Sequence, residues 1–334
     1  MTSVCFYFQI HQPYRLRRYS VFQTDPFYFD SESNQSIMEK VAGKCYRPTT
    51  TLLLDQIRKN DGRFKVSFSI TGTAIEQMQA WAPDVIDLLQ QCAATGCADF
   101  LAETSHHSLS ALYAPAEFKA QVDGHVTLIR ELFDIEPVVF RNTELIYSDR
   151  IAQSVVEMDR FKGMACEGVD RILGERSPAW VYAPEGSGEH LPSAPLRLLL
   201  KNYRLSDDIA FRFSDRNWSE WPLDVNRFAG WVNQINGDGH LCNLFMDYET
   251  FGEHQWADSG IFGFLEALPA AIFDVNPGQN DFVTVREAVE QYDPVGVYRA
   301  TDPISWADSE RDLSAWLGNA MQENAATELY RLEG

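Results

Sequence analysis

Short apolar runs alternate with amphipathic stretches along the whole chain. Val4–Ile10 is β-branched and aromatic and stops at His11-Gln12-Pro13, where proline ends regular structure. Phe64–Ile70 alternates apolar and polar residues, the period of a strand, and ends at Thr71-Gly72 with Glu76 close behind. Ala98–Ala102, Pro137–Phe140, Gly163–Cys166, Tyr203–Leu205 and Leu241–Met246 read as further strands, giving seven in all. Trp180–Ala183 reads as part of an insertion and Asp281–Val285 as a last strand candidate. Helical spacing falls at Thr49–Lys59, Trp81–Ala94, Ala116–Phe133, Ile151–Met158, Pro195–Leu200 and Ile261–Ile272, and again from about Asp308 onwards. Residues 14–45, with Tyr14, Arg15 and Tyr28, lack a clear period and read as a long loop. Residues 215–227 are polar.

Alternating strands and helices predict a largely parallel α/β architecture. Nearly every strand ends in a residue capable of chemistry: His11, Glu76, Glu103, Glu144, Glu167, Asp208 and Asp247. An open doubly wound sheet gathers such residues only at its switch point, whereas a β/α barrel gathers them along its whole C-terminal rim. The pattern therefore favours a closed or nearly closed barrel. The sharpest case is Leu244–Trp256, where Leu244, Phe245 and Met246 give way at once to Asp247, Glu249, Glu253 and His254.

Composition narrows the function classes. The 334 residues are 45% hydrophobic and 13% aromatic, ample for a large core. The formal net charge of −20 repels phosphate backbones and anionic bilayers, so neither nucleic acid nor a membrane is an expected partner. No run approaches the roughly 18 apolar residues of a membrane span. Cys5, Cys166 and Cys242 lie inside apolar runs, and four residues separate Cys92 from Cys97, too many for a CxxC pair; the cysteines are expected as free thiols in a cytoplasmic protein.

A ring of carboxylates without matching lysines suits metal binding or glycosidic bond cleavage. The seven histidines form no HxH or HxxxH pair, so no metal and no other cofactor is expected. A retaining glycosidase needs two carboxyls from different strands, one ionised and one protonated. Residues 144 and 247 belong to the fourth and seventh strands, whose ends can face each other across a barrel mouth, but composition alone does not choose that pair from the ring. Neither Gly186-Ser187-Gly188 nor Gly237-Asp238-Gly239 is placed as a phosphate-binding loop.

Five ordered motifs resemble glycoside hydrolase family 57, in its α-amylase-type form: His11-Gln12-Pro13, Gly72–Glu76, Arg141–Tyr147, Asp247–His254 and Asp312–Asn319. The resemblance covers almost the whole chain. It implies an incomplete (β/α)7 TIM-like barrel, expected over residues 1–300, followed by a C-terminal helical region that begins at 301 and runs to 334 and beyond in relatives. It implies a retaining mechanism on α-glucans or maltooligosaccharides, with Glu144 as nucleophile and Asp247 as general acid/base. His11, Glu76, Trp306 and Trp316 are implied to line the sugar cleft, and His107, Asp208, Glu249, His254 and Trp256 are further candidate substrate contacts. The second motif departs from the form found in glucanotransferases and branching enzymes, which favours the amylase-type subgroup; a transferase, a metal-dependent hydrolase or deacetylase on a similar barrel, and a silent glucan-binding protein are the alternatives.

Overall fold

The computed structural model describes residues 1–188 and 190–332. Its strands are β1 Thr2–Ile10, β2 Val66–Ile70, β3 Ala98–Phe100, β4 Val139–Arg141, β5 Gly163–Glu167, β6 Arg197–Lys201, β7 Leu241–Asp247 and β8 Asn280–Val283. All pair in parallel. β7 occupies one edge of β1 along Ser3–Gln9. The other edge is shared, β8 against Thr2–Cys5 and β2 against Tyr7–Ile10. The order β7-β1-β2-β3 is continued through a single Ala102–Phe140 bridge into β4-β5-β6.

The result is an incomplete (β/α)7 barrel whose hydrogen-bonded ladder does not close between β6 and β7. Near the bottom of that gap, residues 179–183 intrude. Tyr182 bridges to Leu198 of β6, and the Ala179 carbonyl accepts from Leu241 N of β7. Higher up, the Asn243 side-chain amide donates to Leu200 O at 2.8 Å and Asn202 N donates to Asn243 O at 2.9 Å.

Alternation along β1 sorts the two cores. Val4, Phe6, Phe8 and Ile10 pack outward against helices that include Arg47–Lys59, Gly72–Trp81, Pro83–Ala94 and Ile261–Val275. Phe8 lies within about 6 Å, ring to ring, of Phe68, Tyr248 and Phe251, so truncating it to alanine costs about 3–5 kcal/mol. Cys5 and Tyr7 point into the barrel with Leu101, Ala165, Leu199 and Phe245. Gln9 shares their face at the top of that interior, directly beneath the rim.

Several expectations are corrected. Arg197–Lys201 is a strand and Tyr203–Ala210 a helix, the reverse of the reading from periodicity. Leu198 and Leu200 are buried in one cluster and Leu199 in another, so both faces of β6 are apolar and no period survives to mark it. The following helix is started by the Asn202 side chain, which accepts from Leu205 N. The stretch 14–45 is not all loop: Ser31–Val41 is a helix capped by Asp30, and Ala42–Tyr46 continues it as a π-helical turn. Residues 215–227 run into the helix Val225–Asn233, capped by Asp224. Asp281–Val285 does hold a strand, and 180–183 contributes only isolated bridges.

Candidate active site

The strand ends converge on one rim. A cavity of about 120 Å³ there is lined by Glu144, Lys201, Ala210, Phe211, Met246, Asp247, Thr250, His254, Trp306 and Ala307. Glu144 follows β4 in a tight turn in which Glu144 and Leu145 both adopt left-handed backbone angles, φ 53° and 50°. Such angles cost about 1–3 kcal/mol per residue and need outside support. Ser305 Oγ and Trp306 N supply it, donating to Glu144 O at 2.8 and 3.2 Å. The segment carrying them is pinned by an antiparallel bridge between Tyr147 and Ile304.

Both carboxylate oxygens of Glu144 are held. Oε1 lies 2.7 Å from His107 Nε2, and Oε2 accepts from Trp306 Nε1 at 2.7 Å. Burial alone would raise this carboxyl, but the His107 hydrogen bond, with the charges of His107 and Arg141 behind it, brings it down to about 2. The His107 ring stacks on His11, centroids 4.0 Å apart, and His11 Nδ1 lies 3.0 Å from Thr71 Oγ1. Burial, then the neighbouring His107, pushes His11 down to about 3, so it is neutral. Arg141 is fully buried, and its guanidinium sits 5.2 Å over the Trp306 ring.

Asp247 ends β7 on the same cavity, and its carboxyl makes no hydrogen bond among the described residues. Burial first, and then the charge of Glu144, push its pKa up; His254, Arg141 and Lys201 only partly oppose this. Two residues on, Glu249 is buried beneath the rim, where Tyr46 Oη and Gln12 Nε2 both donate to its Oε1. Burial, then the charge of Asp247, raise it to about 8.

The cavity thus brings together Glu144, Asp247, His254 and Trp306, with His107 and His11 directly behind Glu144. It does not include the other candidates. Glu76 is exposed, its carboxylate accepting from Tyr14 Oη. Asp208 is paired at 2.6 Å with Arg212, just past the end of its own helix. Trp256 is 64% exposed, with the Lys44 ammonium over its ring. Trp316 packs against the hydrophobic cluster under β4–β6. Lys201 lies outside the sequence-derived candidates because periodicity makes β6 a helix; its ammonium lies 3.1 Å from Asp207 and 5.0 Å from the Trp306 ring. The signal was present in Leu198-Leu199-Leu200-Lys201, an apolar run ending in a charge like the other strands. Among the described residues no group of three or more His, Cys, Asp or Glu is placed to hold a metal ion.

A (β/α) barrel carries its chemistry at the C-terminal rim, and this rim presents two acids of opposite proton bias. A model of glycosyl hydrolase family 57 matches residues 5–301, and the chain belongs to that family. It is 42% identical over 326 residues to a Methanocaldococcus jannaschii protein named "Putative alpha-amylase", a match covering 96% of this chain and 66% of that protein. Among solved structures it resembles a 4-alpha-glucanotransferase from Thermococcus litoralis (TM-score 0.69, 16% identity, 91% of this chain and 42% of the other). It also resembles a branching enzyme from Thermococcus kodakaraensis (TM-score 0.67, 13% identity, 99% and 78%). At these identities the two structures speak for the fold.

Proposed function

We propose that the chain is a retaining glycoside hydrolase that cleaves α-1,4-glucosidic bonds of starch- or glycogen-like glucans and maltooligosaccharides. The observation that carries this reading is the opposite proton bias of two carboxyls on one cavity. Glu144 is held ionised by His107, and Asp247 is driven towards its neutral form by burial and by Glu144 itself. Glycosidic cleavage needs one ionised and one protonated carboxyl, and the family to which the chain belongs supports retention, with the ionised one as nucleophile.

Glu144 attacks the anomeric carbon as the Asp247 proton passes to the departing glycosidic oxygen, forming a glycosyl ester and releasing the aglycone chain. Asp247, now ionised, takes a proton from water; the hydroxide oxygen bonds to the anomeric carbon, the ester bond breaks, and the product keeps its α configuration. His254, Lys201 and Trp306 contact the sugar at the scissile bond, and His11 bears on it from behind Glu144 through the stacked His107 ring. Exposed Glu76 and Trp256 contact units further along the chain, while Asp208, Glu249 and Trp316 support the cleft through the protein contacts described above. We assign residues 1–300 to the catalytic unit and 301–334 to the start of a helical region, of which 333 and 334 lie outside the described residues. Trp306 makes the site span that boundary. A cytoplasmic location is in keeping with six buried free thiols.

Maltoheptaose tests the reading. Hydrolysis predicts only shorter products, with reducing ends increasing. Longer and shorter products at constant reducing ends would mean glucan transfer, and binding without turnover would mean a silent glucan-binding protein.

A further inference from the structure

Beneath Glu144 lies a charged cluster that the two-carboxyl mechanism does not use. Glu103, at the end of β3, is fully buried. Its Oε2 lies 3.7 Å from His107 Nδ1 and 3.7 Å from Arg141 Nη1. Its Oε1 accepts from Ser69 Oγ at 2.5 Å, and Gln9 Nε2 stands 3.3 Å from both oxygens. Gln9 is itself oriented, since its Oε1 accepts from Tyr7 Oη at 2.9 Å. The Glu103 main-chain N–H donates to His125 Nδ1, and His125 Nε2 lies 2.7 Å from Ile70 O, which fixes His125 as the neutral Nε2–H form. The imidazole of His107 therefore has Glu144 at Nε2, 2.7 Å away, and both Glu103 (3.7 Å) and the Arg141 guanidinium (3.5 Å) at Nδ1.

We propose that Glu103 is a positioning residue for the reaction, acting through the His107 ring to hold Glu144 ionised and aimed into the cavity. The inference rests on the reading of Glu144 as the nucleophile.

The geometry gives the reason. Burial disfavours a charged His107, but the nearby Glu103 carboxylate at 3.7 Å and the hydrogen bond to Glu144 outweigh it and leave the ring more basic than usual. Four charged or titratable groups surround it among the described residues. Glu103 and Glu144 favour the cation; Arg141, 3.5 Å away, opposes it; stacked His11 is neutral. The need for Glu103 is greatest in mid-reaction. When Glu144 becomes an ester it loses its charge, and His107 keeps only Glu103 as a counter-ion, with Arg141 repelling it. With Glu103 present the ring keeps its proton, and Nε2–H donates to the ester oxygen that regains charge as water displaces the enzyme. No bond to Glu103 forms or breaks, and no substrate reaches it.

The test is histidine NMR titration of the whole chain, with the His107 resonance assigned by its loss in His107→Gln, alongside kcat and KM for maltoheptaose against pH. In the wild type the His107 midpoint is expected above that of an ordinary histidine. Glu103→Gln is expected to lower that midpoint by about one pH unit or more, and to lower kcat on the order of tenfold or more with KM nearly unchanged. Its alkaline limb is expected to move down. A merely structural glutamate would lower activity evenly without moving either titration. Glu103→Gln leaves Arg141 buried beside an uncharged partner, so the variant risks misfolding; the wild-type titration can still refute the proposal without it. A wild-type His107 midpoint at or below the ordinary value overturns the proposal, as does a folded Glu103→Gln protein with the wild-type midpoint. Absence of turnover in the wild type would instead count against the hydrolase reading, while the NMR midpoints still test the influence of Glu103 on His107.

Discussion

Glu249 offers a test in which stability reports on the site. The carboxyl is buried, and its Oε1 accepts from Tyr46 Oη and Gln12 Nε2, an arrangement a neutral side chain satisfies as well as a charged one. Burial, with Asp247 beside it, raises it from 4.5 to about 8. Between those values the folded protein holds a proton that the unfolded chain has released, so stability is present below about 4.5 and declines as the pH rises towards about 8. At ~1.36 kcal/mol for each pH unit, the decline amounts to roughly 4–5 kcal/mol. Other buried acids with raised values, Asp247 and Asp99 among them, lose stability in the same direction, so the informative quantity is the difference between wild type and Glu249→Gln. Glutamine keeps the accepting oxygen and puts an amide where the acid proton stood. The two proteins should therefore match near pH 4.5, and Glu249→Gln should become the more stable as the pH rises to 8.5. Urea unfolding followed by tryptophan fluorescence at several pH values measures this. A constant difference across the range, or a variant less stable at pH 8.5, would refute the assignment of a neutral buried Glu249.

Three further outcomes follow from the geometry. Glu144→Gln and Asp247→Asn should each remove most activity on starch, yet Asp247→Asn alone should still release fluoride from an α-maltosyl fluoride, whose leaving group needs no proton. Stopped-flow fluoride release separates the two variants, and equal rates would contradict their distinct roles. Trp306→Phe keeps an aromatic ring but removes the hydrogen bond to Glu144 Oε2, a bond to a charged acceptor worth about 1.5–3 kcal/mol; kcat/KM should fall about 10- to 100-fold, and an unchanged value in a folded variant would remove Trp306 from the site. Gly252 has φ +110°, and an added Cβ would stand 2.0 Å from Lys44 O; Gly252→Ala should cost at least about 2–3 kcal/mol and loosen the turn that carries His254, which thermal unfolding and kcat would both register.

Where the sequence could be read, a residue type and a period agreed. β1 and β7 end in His11 and Asp247, and an apolar run broken by such residues was visible without coordinates. The same reading failed at β6, because burial on both faces erased the alternation, and with the strand went Lys201. The helix Ser31–Val41 escaped because it buries only Asn34, Met38 and Val41 and its remaining surface is polar. Arg141 stood in the third motif, but nothing in its neighbours shows that it would be wholly buried between Glu103 and the Trp306 ring. Those contacts join segments 38 and 165 residues away along the chain. Spacing likewise did not reveal that Glu76 and Trp256 would be exposed while Glu249, two positions from Asp247, would be buried.

The most direct test of the central claim is to trap the covalent intermediate. Asp247→Asn is mixed with an α-maltosyl fluoride, digested, and its peptides weighed. The first step proceeds without an acid, and the second stalls without a base, so a glycosyl group should accumulate. It should be found on the peptide containing Glu144 and be absent when Glu144→Gln is added to the same chain. A label on another residue, or fluoride release with no label at any residue, would contradict a retaining mechanism through Glu144.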